Sequence, residues 1–176
     1  KGRVDPDGND LSADLLLRDL GSLGGGYRGA LAGTASFKGT SEDGVLTLNA
    51  KGDGLGIGRA EVDSVLRGQS VVTADLAVKG GQIKINAARI SNPQLNADAT
   101  GEIAGAVRKV KLSAQLANLG ILLPEFPGAL TVTGTAMQDG AGTVLDLKGI
   151  GPGQIDATVT GRLAGNYASG QLAIKG

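Results

Sequence analysis

Hydrophobic and polar residues alternate with a period of two along most of the chain. Residues 95–103 show the pattern: the apolar members are Leu95, Ala97, Ala99, Gly101 and Ile103, and the polar members are Asn96, Asp98, Thr100 and Glu102. Successive side chains of a strand point to opposite faces of a sheet, so this alternation predicts a strand with one apolar and one solvated face.

The same alternation recurs in segments that are separated by turn sequences. Further strands are predicted over 72–79, 83–87, 110–116, 130–136 and 155–163, and shorter ones over 15–17, 31–37, 46–48, 145–147 and 172–174. Turn signals are "EDG" at 42–44, "KGG" at 79–81, "SNP" at 91–93, "QDG" at 138–140 and "GPG" at 151–153. Together they predict roughly a dozen short strands in an antiparallel meander.

Two segments interrupt the alternation. Residues 58–68, "GRAEVDSVLRG", fit one or two helical turns with Val62, Val65 and Leu66 on one side. Residues 118–128, "NLGILLPEFPG", contain two prolines, which disfavour a central strand, so an apolar loop is predicted there.

One stretch of the sequence is repeated. "LNADATGEIAG" at 95–105 returns as "IDATVTGRLAG" at 155–165. An offset of this length is about six strands, which indicates sheet architecture returning to phase instead of two domains. Residues 1–176 are therefore expected to form a single β-sheet segment. The chain has no initiator Met and no signal peptide, so we expect it to be a fragment of a longer protein.

The apolar face of such a sheet must be covered by something. A sandwich, a closed barrel, or a curled groove filled from outside would each do so. The chain has two Phe, two Tyr and no Trp, and its apolar residues are mainly Leu, Ile, Val and Ala. Because smooth aliphatic side chains pack less specifically than mixed large and small ones, the groove is favoured. The predicted fold is all-β: an elongated antiparallel sheet curled into a taco-like groove with an aliphatic interior.

The composition lacks the residue types that most often form catalytic and metal sites. The chain has no His and no Cys, and its remaining hydroxyls and carboxylates form no recognisable catalytic arrangement. Gly24, Gly26 and Gly29 match the dinucleotide-binding motif G-x-G-x-x-G, which has to be followed by a helix. The residues that follow, "ALAGTASF", alternate like a strand, so these glycines are expected to form a loop. The stretch "DPDGND" at 5–10 departs from a calcium loop, with Asp10 and Leu16 where Gly and Glu are needed. We therefore predict no enzyme, no metal and no cofactor.

The charge and the length of the apolar runs limit the classes of partner that the chain is expected to bind. The formal net charge is +0 and aromatic residues are 2%, which disfavours nucleic acid. No apolar run is long enough for a membrane-spanning helix. A groove lined by aliphatic side chains suits an acyl chain, whose methylenes gain about 0.8 kcal/mol each on leaving water.

The candidate groove-lining residues all occupy apolar positions of the predicted strands, where membership of an ordinary core is the alternative interpretation. They are Leu76, Val78, Ile83, Ile85, Leu95, Ile103, Leu112, Leu116, Leu130, Val132, Ile155 and Val159.

Three stretches carry a resemblance to a known family. They are "GALAGTASFKGTSEDGVLTLNAKGDGLGIGRAEVDSVLRG" (29–68), "KGGQIKINAARISNPQLNADATGEIAG" (79–105) and "PGALTVTGTAMQDG" (127–140). Their short amphipathic strands, glycine-rich turns and repeated T-G-x-[IL]-A-G endings resemble the TamB family, the translocation and assembly module subunit of Gram-negative bacteria. The related AsmA-like proteins share much of this sequence pattern.

The resemblance implies a place in the cell and a set of partners. It implies a periplasmic segment of a protein anchored in the inner membrane, with TamA, an outer-membrane β-barrel protein, as partner. It also implies a groove that carries phospholipid acyl chains between the two membranes and supports outer-membrane biogenesis. The alternative is a chaperone-like scaffold whose strand edges pair with nascent outer-membrane proteins by strand addition.

Overall fold

The computed structural model describes residues 2–5, 8–164 and 170–175, which form one β-sheet with short helices in its connections. The strands are β1 (Gly2–Asp5), β2 (Gly8–Leu17), β3 (Arg28–Gly39), β4 (Asp43–Gly56), β5 (Gln69–Lys79), β6 (Gln82–Ser91), β7 (Leu95–Ala104), β8 (Val107–Leu116), β9 (Leu130–Asp139), β10 (Gly142–Gly151), β11 (Ile155–Leu163) and β12 (Gly170–Lys175). Helix α1 covers Ala60–Val65, and two 3-10 helices cover Leu20–Leu23 and Leu119–Ile121.

The strands follow each other in the sheet in chain order, from β1 at one edge to β12 at the other. Every neighbouring pair is antiparallel. The sheet is not closed into a barrel, because β1 and β12 are not paired with each other. The predicted all-β antiparallel meander is confirmed.

The connections differ in length between the two rims of the sheet. The long-loop rim contains the connections 18–27, 57–68, 92–94, 117–129 and 152–154. The short-turn rim contains the connections 40–42, 80–81, 105–106 and 140–141. At 80–81 both Gly80 and Gly81 have positive φ, of 57° and 75°. A two-residue turn of this kind matches the twist of the strands it joins, which explains the "KGG" signal.

The two segments that interrupt the alternation lie at the long-loop rim. The helical prediction for 58–68 is confirmed by α1, and the loop prediction for 118–128 by a connection that holds only a 3-10 helix. Val65 and Leu66 are buried as expected, whereas Val62 is 36% exposed and does not share their environment. None of the helices in residues 2–5, 8–164 and 170–175 is long and apolar enough to cross a membrane.

The sequence repeat spans a different number of strands from the one predicted. Leu95 begins β7 and Ile155 begins β11, so the repeat spans four strands and not six. The prediction of six strands was wrong because it counts about ten residues for each strand together with its turn. In the structure the strands alone have about ten residues each, and the connection 117–129 adds a further stretch without strand. The last residue of the second copy, Gly165, lies outside the described residues, as do residues 6 and 7 of "DPDGND".

Glycines in the middle of strands mark close approaches between neighbouring strands. A Cβ atom added at Gly101 of β7 would lie 2.2 Å from the backbone oxygen of Lys109 in β8. At Gly134 of β9, where φ is +155°, it would lie 2.1 Å from the backbone oxygen of Asp146 in β10. At both positions the neighbouring strand is too close for a side chain, so a residue with a Cβ atom fits only if the backbone shifts. The single open antiparallel sheet is compatible with the predicted curled groove.

Candidate apolar-ligand groove

The register of the sheet gathers the aliphatic side chains onto one face, which we call the groove face. Paired residues of antiparallel strands lie on the same side of a sheet. Leu76 of β5 pairs with Ile85 of β6, and Ile83 of β6 pairs with Ile103 of β7. Leu116 of β8 pairs with both Leu95 and Leu130. The rows of apolar side chains thus continue from strand to strand across the sheet.

All twelve predicted lining residues lie on the groove face. Leu116 is buried at 6% exposure, and the others are half-buried. The half-buried ones are Leu76, Val78, Ile83, Ile85, Leu95, Ile103, Leu112, Leu130, Val132, Ile155 and Val159. Pairing connects them directly or through small residues, since Val132 pairs with Ala114 and Gly149. The structure brings these residues together as one surface and leaves none of them on the opposite face.

The groove face has no second layer over most of its area. In a sandwich core its aliphatic side chains would be buried, because packed interiors exclude water. Among the described residues, the buried hydrophobic side chains are Ala50, Val65, Leu66, Leu116 and Leu119, and only Ala50 and Leu116 belong to strands. The aliphatic surface is therefore open to an occupant that the chain itself does not supply.

The opposite face of the sheet is polar and carries ion pairs between neighbouring strands. Arg89 and Asp98 approach to 2.5 Å, and Lys148 and Asp156 to 3.2 Å. These side chains are largely exposed, so each pair contributes little to stability. The outer face is therefore mainly polar and solvated, although Leu16, Val45 and Ile150 are exposed on it, and the groove face carries most of the aliphatic side chains.

The Asp139–Arg162 pair is the best-formed ion pair of the polar face. Two guanidinium nitrogens of Arg162 donate to the two carboxylate oxygens of Asp139, each at 3.0 Å. The backbone amides of Ala141 and Gly142 also donate to Asp139. Hydrogen bonding from Arg162, followed by that from Ala141, lowers the pKa of Asp139 to about 2. The pair joins β11 to the turn that follows β9.

A small cover closes part of the groove face at the long-loop rim. Val65 of α1 and Leu119 of the second 3-10 helix form one buried cluster with Leu116. Leu95, Leu130 and Ile155, three of the predicted lining residues, pack against this cluster. We call Val65, Leu116 and Leu119 the rim cluster. The remainder of the face, toward the short-turn rim, lies outside it.

Asn92 holds this cover in place. Its side-chain amide donates to the backbone carbonyl of Val65 at 3.0 Å and to the hydroxyl of Ser70 at 3.2 Å. Its side-chain oxygen accepts from the backbone amides of Gln94 and Leu95 at 2.8 and 2.7 Å. A buried amide satisfied in this way fixes its neighbours in position. The β6–β7 connection is thereby tied to α1.

Two connections of the long-loop rim share a motif that the alternation analysis did not detect. Asp19 and Asn118 each precede Leu-Gly, and each caps a 3-10 helix by accepting from the amide two residues later, that of Gly21 or Gly120. Their φ values are both −147°. The sequence signal is [DN]-L-G-x-L, present at 19–23 and 118–122. In the second copy of the motif, the Leu directly after Asn118 is Leu119 of the rim cluster.

The described residues hold no cluster of three or more acidic, His or Cys side chains with the geometry of a metal site. Comparison with known proteins identifies no family for the chain: no family model, no curated protein and no solved structure matches it. The groove face and its partial cover are thus the features from which a function has to be argued.

Proposed function

We propose that the groove face holds the acyl chains of lipids along the sheet, and that the chain is not an enzyme. The observation that carries the proposal is a continuous aliphatic surface, half-buried across many strands, which the described residues leave without a covering layer over most of its area. Exposed apolar surfaces of this extent mark binding sites for apolar ligands or partners. The polar opposite face keeps such a protein in water while the groove is occupied.

The energetics fit a conduit better than a storage site. Each methylene that leaves water gains about 0.8 kcal/mol, and a bilayer offers nearly the same gain. Transfer between a bilayer and an aliphatic groove is therefore close to neutral, so a lipid can both enter and leave. Adjacent strands lie about 4.8 Å apart, so strands stacked in chain order build a groove that runs along the sheet.

The resemblance to the TamB family suggests where such a conduit would act. In this proposal the chain is a periplasmic segment of an envelope-spanning protein that is anchored in the inner membrane. It passes phospholipids toward the outer membrane and supports outer-membrane biogenesis together with a TamA-like β-barrel protein.

A scaffold for nascent outer-membrane proteins is the second candidate. The observation that favours it is that, among the described residues, the backbone of β12 pairs with β11 alone. Strand addition at an edge relies on backbone hydrogen bonds more than on lining side chains. Replacing Leu172 of β12 by Pro would then impair function more than Leu76→Asp, whereas a lipid conduit gives the reverse order.

A binding measurement tests the proposal. The purified protein is titrated with a fluorescent fatty-acid analogue whose emission rises in an apolar environment. Leu76→Asp places a charge on the groove face, and we expect it to weaken binding at least tenfold, since burying an unpaired charge is costly. The matched control is Val45→Asp on the polar face, where Val45 pairs with Lys38 and Ala77. Equal effects of the two variants, or no binding by the unmodified protein, would overturn the proposal.

A further inference from the structure

The groove face is interrupted by one row of polar side chains at the short-turn rim. The pairing runs from Ile103 of β7 to Arg108 of β8, then to Gln138 of β9, Thr143 of β10 and Leu163 of β11. The three central residues therefore lie side by side on the same face as the lining residues. We call Arg108, Gln138 and Thr143 the polar row.

The polar row has hydrogen-bonding capacity that the chain does not use. Nη1 of Arg108 donates to Oε1 of Gln138 at 3.3 Å. No carboxylate of the described residues lies within ion-pair distance of Arg108. Thr143 is only 6% exposed, and its hydroxyl has no hydrogen-bond partner in the described part of the chain. A buried polar group without a partner is uncommon and calls for an explanation, such as a ligand that is bound there.

The unused groups are donors of the kind that bind oxyanions. The guanidinium of Arg108 has further N–H groups, and the amide of Gln138 keeps its NH₂ because its oxygen accepts from Arg108. The hydroxyl of Thr143 can donate as well. Three adjacent donors, one of them charged, suit a group with several acceptor oxygens, and Arg matches phosphate geometry closely.

We propose that the polar row binds the phosphate group of a phospholipid whose acyl chains lie on the groove face. This inference rests on the proposed function. On the same strands and the same face, the next residues away from the short-turn rim are Val110, Ala136 and Leu145. Ala136 pairs with both Val110 and Leu145. A lipid held here has its phosphate at the rim, where Arg108 is exposed to water, and its chains on the aliphatic surface.

The test compares two ligands that differ only in the phosphate. Binding of lysophosphatidic acid and of the monoacylglycerol with the same acyl chain is measured by calorimetry. We expect the unmodified protein to bind the phosphate-bearing ligand about tenfold more tightly, the effect of one charge-assisted hydrogen bond. In Arg108→Gln this preference should disappear while monoacylglycerol binding is kept. Lys109→Gln removes the same charge from the neighbouring residue on the polar face, and it should keep the preference.

Three other outcomes are possible, and each of them would overturn a different claim. If the unmodified protein binds neither ligand, the proposed function fails. If it binds both and Arg108→Gln leaves the preference unchanged, the phosphate site fails and the acyl groove stands. If inorganic phosphate alone binds as tightly as lysophosphatidic acid and Arg108→Gln abolishes both, the site takes free phosphate, and its assignment to a lipid headgroup is wrong.

Thr143→Val gives a second, independent test. Valine has nearly the same shape as threonine and carries a methyl group in place of the hydroxyl, so the variant no longer buries a polar group without a partner. We expect the variant to be at least as stable as the unmodified protein in urea and to bind lysophosphatidic acid several-fold more weakly. Unchanged affinity would show that the hydroxyl does not contact the ligand and would contradict the proposal.

Discussion

The side-chain amide of Asn92 donates a hydrogen bond to the backbone carbonyl of Val65 at 3.0 Å, which joins the β6–β7 connection to α1. Through this bond α1 is held over the groove face, and Val65 joins Leu116 of β8 although three strands, β5 to β7, lie between them in the sheet. The cover at the long-loop rim is thus a product of one buried polar contact and one small apolar cluster.

The role of Asn92 is open to direct measurement. Asn92→Ala leaves the carbonyl of Val65 and the hydroxyl of Ser70 without this donor, and unsatisfied buried groups cost about 1–3 kcal/mol each. We expect a loss of about 2 kcal/mol in the free energy of unfolding in urea, with faster hydrogen exchange in residues 57–68. Asn49→Ala, at an exposed position of the polar face, is the control and should stay within about 0.5 kcal/mol.

Leu119 should account for much of the stability of the rim cluster. It is 5% exposed, and replacing a buried Leu by Ala costs about 2–5 kcal/mol. Since the cluster is small and lies at a rim, we expect Leu119→Ala to fall near the lower end of that range in urea denaturation. Leu123, in the same connection, is 47% exposed, and Leu123→Ala should change stability by less than about 0.5 kcal/mol. Comparable losses in both variants would argue against the cluster.

The close approach of β9 and β10 depends on Gly134. A Cβ at this position would meet the backbone of β10, and φ of +155° is unfavourable for other residues. We expect Gly134→Ala to cost about 1–3 kcal/mol in thermal or urea unfolding, because the two strands must separate or the backbone must shift. Gly140 has nothing within 4 Å of its added Cβ, so Gly140→Ala is the matched control. Neutrality of Gly134→Ala would refute the close approach of β9 and β10.

The stability of the protein should depend on pH through Asp139. Hydrogen bonds from Arg162 and the amide of Ala141 lower its pKa from 3.8 to about 2. A lowered folded-state pKa means that its contribution is present above pH 3.8 and is lost as the pH falls toward 2. Unfolding midpoints measured between pH 5 and 2 should fall less steeply in Asp139→Asn. The control Asp146→Asn removes a carboxylate of the neighbouring strand β10 that forms no ion pair with the described residues, and it should keep the original slope.

The alternation of apolar and polar residues was sufficient to predict the sheet, its turns and the face on which the twelve lining residues lie. These features follow from local period and turn chemistry, as Leu95 to Ile103 and "KGG" illustrate. Val65 and Leu119 could not be placed over the groove in this way, because their contacts join residues from distant connections. The polar row was missed for the same reason: only the register brings Arg108, Gln138 and Thr143 side by side.

Glycines in the strands were also interpreted too simply. The T-G-x-[IL]-A-G ending at 100–105 indicates only a resemblance in sequence, whereas in the structure a Cβ at Gly101, or at Gly134 of β9, would collide with the next strand. The [DN]-L-G-x-L signal at Asp19 and Asn118 is visible in the sequence, but its meaning depends on the 3-10 helices that it caps.

Photo-crosslinking in Gram-negative cells tests the central claim most directly. A photoreactive residue replaces Leu76 on the groove face, and Lys84, exposed on the polar face opposite Ala77, is the control position. The account predicts phospholipid adducts at Leu76 and none at Lys84. Adducts to nascent outer-membrane proteins at Leu76 would favour the scaffold instead, and the absence of any adduct at Leu76 would contradict an open, lipid-filled groove.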